Sequence, residues 1–286
     1  MSRAEVSRRL QGELEKLAAE SKARSIAVAL HDFETDFRFS MCGDRWFHAA
    51  STIKVAVLLA VFRAADEGRF GLGDSLHVRN RFFSAAGGTI FHVRPDRDAT
   101  PELYQSIGRT VKICALAHAM ICGSSNLAAN LLLEFVGVEY ARTVLREAQV
   151  HGVELRRGVE DHAAHERGIN NEATADGLLF LLSAVRGDFL TNQSKQHIIQ
   201  ILLEQRFNSM IPAGLPAHAV VAHKTGEIST ACHDIGIVYL PEREPYAAAI
   251  LTEFDPDQEG RRETVAAISA AIYQYLRPMG LKSNGH

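Results

Sequence analysis

The sequence has no long apolar run. Stretches such as Val55–Phe62 are far too short to cross a bilayer. It also has no excess of one charge, since 31 Lys and Arg against 34 Asp and Glu leave a net charge of −3. We therefore expect neither a nucleic-acid nor a membrane partner. Only four cysteines occur, at no metal-ligand spacing, so free buried thiols are expected rather than a disulfide framework.

The chain also lacks internal repeats, low-complexity linkers and an apolar secretory segment near its N-terminus. We therefore expect a cytoplasmic protein, or a periplasmic or secreted one if the chain is a processed form. With 286 residues and 47% hydrophobic content, the chain is long enough for one large domain or two closely packed ones.

The sequence is rich in histidine, with 13 residues. His162-Ala-Ala-His165-Glu166 would place its histidines on one face of a helix, but it is not a His-Glu-x-x-His motif and falls in a predicted loop. We therefore predict no metal site and no cofactor.

The first motif with chemical content is Ser51-Thr-Ile-Lys54, at the start of a helix that is apolar on every side. Residues three apart share a helix face, so Lys54 would lie beside the Ser51 hydroxyl. Burial and a second cation can turn a lysine into the base that such a nucleophile needs. The alternative is that Ser51 merely caps the helix and Lys54 extends to the surface.

A second motif, Ser124-Ser125-Asn126, precedes another apolar helix. Ser124 would relay a proton to a leaving nitrogen, and the Asn126 amide would hold Lys54 and a substrate amide together. The alternative is an ordinary turn before a core helix.

A third motif, Lys224-Thr225-Gly226, follows a predicted strand that would line one wall of a cleft. Lys224 and Thr225 would bind a substrate carboxylate, and Gly226 would let a substrate approach the backbone. The N–H groups of Glu227 and Ser51 would form an oxyanion hole. The alternative is a strand that ends in a turn.

Taken in this order, the three motifs resemble those of class A β-lactamases and penicillin-binding proteins. The resemblance runs from about residue 6 to about residue 276. It implies an α+β, β-lactamase-like fold, in which a five-stranded antiparallel sheet flanked by helices carries an inserted all-helical domain. It also implies a serine hydrolase that opens β-lactam amides through an acyl-enzyme on Ser51, with a small-molecule substrate.

Three departures from the family pattern concern the site. The family's Glu-x-x-Leu-Asn, whose Glu and Asn hold the deacylating water, is absent. Glu160 is the best candidate for the base, followed by Asp161 and Glu166; the alternative is that Glu160 and Asp161 only anchor the loop. His233 is predicted to replace an arginine that supports the substrate carboxylate. About a dozen extra residues, near 79–98, are expected to reshape the cleft rim.

Hydrophobic periodicity and turn residues predict a sheet built from both chain ends, with helices between them. The predicted domains are residues 1–58 with 206–286, and residues 59–205, with the site in the seam. Helices are predicted at 3–20, 51–66, 101–121, 126–134, 138–147, 174–186, 193–205 and 258–276, and strands at 24–32, 35–42, 217–224, 232–240 and 245–253.

The leading functional prediction is a β-lactamase-like hydrolase with weak deacylation. The alternatives are a D,D-peptidase or esterase that shares the first half-reaction, and a β-lactam-binding sensor that stays acylated. The unmatched deacylation segment keeps the sensor hypothesis open.

Overall fold

A computed structural model describes residues 3–280. Its main sheet has five antiparallel strands, which are β1 (Ser25–Asp32), β2 (Phe37–Met41), β10 (Val220–Ile228), β11 (Ala231–Leu240) and β12 (Arg243–Glu253). Their order in the sheet is β10-β11-β12-β1-β2. The two N-terminal strands therefore extend a C-terminal meander, with Val28 of β1 opposite Ile250 of β12. The predicted fold class is confirmed.

Helices cover both faces of this sheet. The two terminal helices, α1 (Arg3–Ser21) and α9 (Arg261–Gly280), pack together on the outer face. The other helices lie on the inner side or beyond it: α2 (Lys54–Asp66), α3 (Ile113–Cys122), α4 (Asn126–Val136), α5 (Val138–Glu147), α6 (His162–Glu166), α7 (Ala175–Arg186) and α8 (Asn192–Leu203). An antiparallel sheet with one face open to solvent keeps that face polar. In this sheet both faces are covered, and every residue of β1 is therefore buried.

Helix α2 is the central element, and it begins in a short 3₁₀ turn, Ala50–Ile53. It is buried through Phe62 on all sides, as its uniformly apolar sequence predicts. The other helices and the sheet pack around α2 and hold it in place. This packing also positions the turn that carries Ser51, directly before α2.

The segment 101–121 was expected to be one helix, and this expectation is wrong in its first half. A 3₁₀ turn, Pro101–Ser106, is followed by a short strand β7 (Thr110–Lys112) before α3 begins. Gly108 has φ +85°, a conformation that ends helices, and the β-branched pair Thr110-Val111 favours the strand.

The remaining strands are short. β4 (Ser75–His77) pairs with β7, and β5 (Phe82–Phe83) pairs with β6 (Ile90–Phe91) as a hairpin. β3 (Phe47–His48) joins β9 (Glu172–Ala173) and β8 (Val153–Glu154) in a three-stranded sheet. This small sheet ties the approach to Ser51 to the loop that carries Glu160.

Two hydrophobic cores lie on the two faces of the main sheet. The outer core contains residues of α1 and α9 together with Val28 and Ile250. The inner core contains α2–α5, α7 and α8 together with sheet residues such as Ala27 and Ala249. Because the inner core joins sheet and helices, the predicted division into two domains stays a prediction.

The four cysteines are free thiols. Cys122 and Cys232 are buried, but Cys42 is exposed just after β2, so the expected burial does not extend to it. Within residues 3–280, no helix is both long enough and apolar enough to cross a membrane.

Candidate active site

The structure places the Lys54 amine beside the Ser51 hydroxyl, with Nζ 3.0 Å from Oγ. The 3₁₀ turn before α2 puts both residues on one face, as their spacing predicts. The same amine contacts the second motif: its Nζ is 2.6 Å from the Ser124 carbonyl oxygen, 3.2 Å from Ser124 Oγ and 2.7 Å from Asn126 Oδ1. Two of the three motifs therefore meet at one nitrogen.

Lys54 is fully buried, and its surroundings favour the neutral amine. Burial lowers its pKa well below the ordinary value, and the charge of Lys224 lowers it further. The carboxylates of Asp98 and Glu160 act in the opposite direction. Burial also lowers the pKa of Lys224, to about 7, against the opposing effect of Asp234. The two lysines together supply the environment in which an amine can act as a base.

Helix α4 positions Asn126. Ser125 caps the helix by accepting a hydrogen bond from the Ala128 N–H. Asp98, which sequence reasoning missed, accepts hydrogen bonds from the Ser125 hydroxyl and from the N–H groups of Asn126 and Leu127. A carboxylate at a helix N-terminus is favoured by the helix dipole. Asp98 belongs to the extra segment, so the sequence offered no spacing by which to find it.

Strand β10 brings the third motif to the same cleft. Lys224 is buried and donates to the Thr225 carbonyl, 2.8 Å away. Thr225 and Glu227 line the cleft together with Ser51 and Ser124. The structure therefore brings the three motifs together around Ser51.

Gly226 has a different role from the one expected. A Cβ at this position would lie 3.1 Å from Ser51 N and 3.0 Å from Thr52 Cγ2. The missing side chain lets the start of α2 pack against the strand, and that space is not open to a substrate. Gly226 thereby sets the distance between the Ser51 turn and β10.

Two arginines of α9 contact the β10 side of the cleft, and the sequence analysis did not identify either of them. Arg261 and Arg262 pair with the Glu227 carboxylate at 3.1 and 2.8 Å, and Arg262 lines the cleft with Thr225. Nothing in the Arg261-Arg262 pair marks it as part of a site, because the contact depends on how α9 crosses the sheet.

The prediction for His233 needs correction. Its Nε2 donates to the His48 carbonyl at 3.0 Å and its Nδ1 accepts from the Thr252 N–H at 3.1 Å. The ring is fully buried, and burial lowers its pKa to about 4. A neutral ring with both nitrogens engaged has no donor left for a substrate carboxylate. His233 instead holds the segment before Ser51 against the sheet.

Among the three candidate acids, the structure places Glu160 at the site. Its Oε1 accepts from Asn126 Nδ2 at 2.6 Å, its Oε2 accepts from the Arg94 N–H at 3.0 Å, and it shares a cavity with Ser51. Asp161 is buried and anchors the loop, accepting from Ser84 and two backbone N–H groups. Glu166 is exposed. Asp161 anchors the loop, as the alternative for this pair predicted, and the role of Glu160 as the base stays a prediction.

Three residues of the site have a left-handed backbone. Ala50, Ser124 and Glu160 have φ of +47°, +55° and +62°. Such conformations cost roughly 1–3 kcal/mol each for residues other than glycine and often occur at active sites. Each of the three adjoins or carries a group that contacts Lys54 or Asn126, so the surrounding fold holds these groups against a local preference.

The cleft has two connected parts that share Ser51, Asn126, Glu227 and Arg97. The smaller part, about 240 Å³, contains Ser124, Thr225 and Arg262. The larger part, about 700 Å³, contains Glu160 and the loop around it. Arg97 comes from the extra segment, which therefore forms part of the cleft rim.

Three side chains of types that can ligate a metal ion lie close together outside the cleft. His118, Cys122 and Glu204 have ligand atoms within 4.8 Å of one another. His118 Nε2 and Glu204 Oε2 are 2.7 Å apart, so they are paired with each other. His165 was predicted to lie in a loop, and this prediction is wrong, because residues His162–Glu166 form the short helix α6. The Nδ1 atom of His165 is 2.8 Å from Asn170 Oδ1.

Known sequences that resemble this chain include beta-lactamases. The family model described as the beta-lactamase enzyme family matches residues 9–276. A beta-lactamase of Streptomyces fradiae is 26% identical over 274 residues, which cover 94% of this chain and 86% of that protein. Beta-lactamase ROB-1 of Haemophilus influenzae is 28% identical over 275 residues, which cover 93% of this chain and 84% of that protein.

Solved structures have the same fold. A double mutant of a reconstructed class A beta-lactamase, the last common ancestor of Gram-negative bacteria, superimposes with a TM-score of 0.80 at 27% identity. The match covers 94% of this chain and 99% of that one. PBP-A superimposes with a TM-score of 0.80 at 24% identity, covering 94% of this chain and 96% of that one.

Proposed function

This chain belongs to the beta-lactamase enzyme family, and from that premise we propose that it opens β-lactam rings through an acyl-enzyme on Ser51. The observation that carries the proposal is the 3.0 Å contact between Ser51 Oγ and a buried Lys54 amine whose pKa is depressed. The relatives named beta-lactamases support the choice of substrate class.

The neutral amine explains the contacts around Lys54. An amine has two N–H donors and one lone pair. The two shortest contacts, to the Ser124 carbonyl and Asn126 Oδ1, use the donors, and the lone pair then faces the Ser51 hydroxyl. Lys54 is thereby oriented to take the Ser51 proton as Oγ attacks the lactam carbonyl carbon.

The proton then has a short path to the leaving group. Ser124 Oγ is 3.2 Å from the Lys54 amine, so Ser124 can donate its hydroxyl proton to the lactam nitrogen and recover one from Lys54. The C–N bond breaks as the nitrogen is protonated, leaving the acyl group on Ser51. The N–H groups of Ser51 and Glu227 receive the carbonyl oxygen as its charge grows.

Substrate binding is assigned to the groups around the smaller part of the cleft. The Thr225 hydroxyl and Arg262, with the buried charge of Lys224 behind them, would receive the carboxylate of the substrate. The Asn126 amide would contact the substrate amide. These assignments replace His233 by Arg262.

Deacylation is assigned to Glu160, which shares the larger cavity with Ser51. We propose that this step is slow. Both Glu160 oxygens already accept hydrogen bonds from protein N–H groups. A deacylating water must compete with these donors for the carboxylate, so hydrolysis of the acyl-enzyme limits turnover.

The proposal is tested by mixing the protein with benzylpenicillin and with a chromogenic cephalosporin. Continuing product formation after a first burst of about one equivalent supports a hydrolase with slow deacylation. A burst without turnover supports the alternative of an acylated sensor. Turnover only of D-alanyl-D-alanine peptides or simple esters supports the other alternative, and no reaction with any of these removes the acyl-enzyme proposal.

A further inference from the structure

One wall of the larger cavity is rich in hydrogen-bond donors. It carries Arg157, His48, His162 and His165, and Ser51 lies in the same cavity. The steps proposed above use none of these four side chains. The cavity volume of about 700 Å³ lies in the range of small-molecule sites, so there is room for part of a substrate beyond the reacting ring.

Arg157 is a buried cation without a paired anion. It is 7% exposed, and none of the carboxylates in residues 3–280 lies within ion-pair distance of it. Its Nε has no hydrogen-bond partner among the described residues, and its Nη1 donates to the Gly158 carbonyl. Asp161 acts on it only at longer range, and the Asp161 oxygens are occupied by Ser84 and backbone N–H groups. Buried charges are normally paired with an opposite charge, and within residues 3–280 this arginine has no such partner.

His48 presents a second donor to the same space. Its Nδ1 accepts a hydrogen bond from the Ala50 N–H at 3.0 Å, which places the proton of the neutral ring on Nε2. Burial and the Arg157 charge lower the His48 pKa to about 4, so the ring is neutral. Arg157 Nη2 lies 3.4 Å from this Nε2. Two N–H groups therefore face each other, and neither can satisfy the other.

We propose that Arg157 and His48 form a subsite for an anionic group, a carboxylate, on the acyl side chain of the substrate. One acceptor oxygen between Arg157 Nη2 and His48 Nε2 satisfies both donors and supplies the missing negative charge. Glu160 shares the cavity, but its oxygens accept from Asn126 and Arg94. The inference rests on the proposed function, because it specifies which substrates that function takes.

The division of the cleft explains why the acyl side chain, and not the ring, reaches this wall. The ring carboxylate belongs with Thr225 and Arg262 in the smaller part. The lactam carbonyl must sit at Ser51, which borders both parts. The substituent on the other side of the carbonyl is then directed into the larger part, toward Arg157 and His48.

Two penicillins form a matched pair for the test, since carbenicillin is benzylpenicillin with one added side-chain carboxylate. In Arg157→Gln, we expect the ratio of kcat/KM for carbenicillin to kcat/KM for benzylpenicillin to fall about tenfold, the effect of losing one charge-assisted hydrogen bond. Arg156→Gln is the control, because Arg156 is an exposed neighbour paired with Glu154 and Glu172. An unchanged ratio in Arg157→Gln, or an equal fall in Arg156→Gln, overturns the subsite.

A second measurement does not depend on turnover. Inorganic phosphate should raise the Tm of the wild type, and Arg157→Gln should reduce that rise while Arg156→Gln keeps it. His48→Asn, whose side-chain oxygen can replace Nδ1 but not the Nε2 donor, should also reduce the rise and serves if Arg157→Gln does not fold. No rise in the wild type, or an undiminished rise in both site variants, contradicts the subsite. If neither penicillin is consumed, the proposed function fails and the subsite is judged on phosphate binding alone.

Discussion

The groups assigned to acylation and the group assigned to deacylation are held in different ways. Lys54 and Lys224 are fully buried and belong to regular elements, α2 and β10. Glu160 lies in a loop between β8 and α6, with a left-handed backbone. Helix and strand geometry fix the backbone of the first group, although the Lys54 amine also contacts the distant Ser124 and Asn126. The Glu160 loop has no regular backbone structure and depends on contacts from distant segments for its shape.

Those distant contacts come from the extra segment near 79–98. Arg94 donates its N–H to Glu160, and Ser84 and Ala85 donate to Asp161. Asp98 of the same segment holds the start of α4. The segment therefore contacts both the Glu160 loop and the start of α4. Substitutions at these two contacts are expected to affect deacylation and acylation separately.

The largest effect is expected from Lys54→Met, which removes the proposed base of acylation. The rate of acylation by a chromogenic cephalosporin should fall about a thousandfold, within the range for loss of a general base. Rapid-mixing absorbance measures this rate. Lys112→Met, at an exposed position of β7, is the control and should acylate normally. A Lys54→Met rate within tenfold of the wild type would show that another group takes the Ser51 proton.

Glu160→Gln should act on the other half of the reaction. Acylation should continue, while hydrolysis of the acyl-enzyme falls by about a hundredfold, because the water loses its base. Intact-protein mass spectrometry should then show the acyl-enzyme accumulating at steady state. Glu166→Gln is the matched control, since Glu166 is an exposed carboxylate in the short helix α6 that follows this loop. Normal turnover in Glu160→Gln would exclude Glu160 from the mechanism.

Asp98→Asn tests the support that the extra segment gives to α4. The variant removes the charge that accepts from Ser125, Asn126 and Leu127, so unfolding free energy should fall by about 2 kcal/mol. Asp96→Asn, an exposed carboxylate paired with Arg94, should change stability little. Urea denaturation compares the variants. Equal stability of Asp98→Asn and Asp96→Asn would mean that the α4 start is held by other contacts.

A further effect concerns Lys224 and is measured as a slope of stability against pH. Burial lowers its pKa to about 7 in the folded protein, against 10.5 ordinarily. Between these values the unfolded chain binds more protons, so stability rises with pH, at most by about 1.4 kcal/mol per pH unit. Lys224→Met should lose this contribution between pH 7 and 8, below the ordinary pKa of 9.0 of the buried thiols Cys122 and Cys232, whose folded-state pKa values are raised. Denaturation curves with the same pH slope in both proteins would contradict the shift.

The sequence predicted that Ser51, Lys54 and Ser124 lie together, because each motif lies at the end of an apolar element. An all-apolar helix after Ser51 indicates burial, and burial is what changes the chemistry of Lys54. The sequence also predicted that the main sheet combines two N-terminal strands with three C-terminal ones, as the structure shows. These inferences needed only residues that are neighbours in the chain.

The missed groups depend on contacts between distant segments. Asp98 acts on a helix 28 residues ahead, Arg262 reaches Glu227 from the last helix, and Arg157 meets His48 across 109 residues. His233 was assigned wrongly for the same reason, because its place in β11 did not reveal which carbonyl its ring would meet. Periodicity and spacing carry no information about such pairings.

Peptide mapping after reaction with benzylpenicillin shows whether Ser51 carries the acyl group. The Glu160→Gln protein, in which the acyl-enzyme should accumulate, is digested and its peptides are sequenced by mass spectrometry. We expect one added penicilloyl mass on the peptide that contains Ser51, and none when Ser51→Ala is introduced as well. Labelling at a different residue, or equal labelling after Ser51→Ala, would show that Ser51 is not the nucleophile.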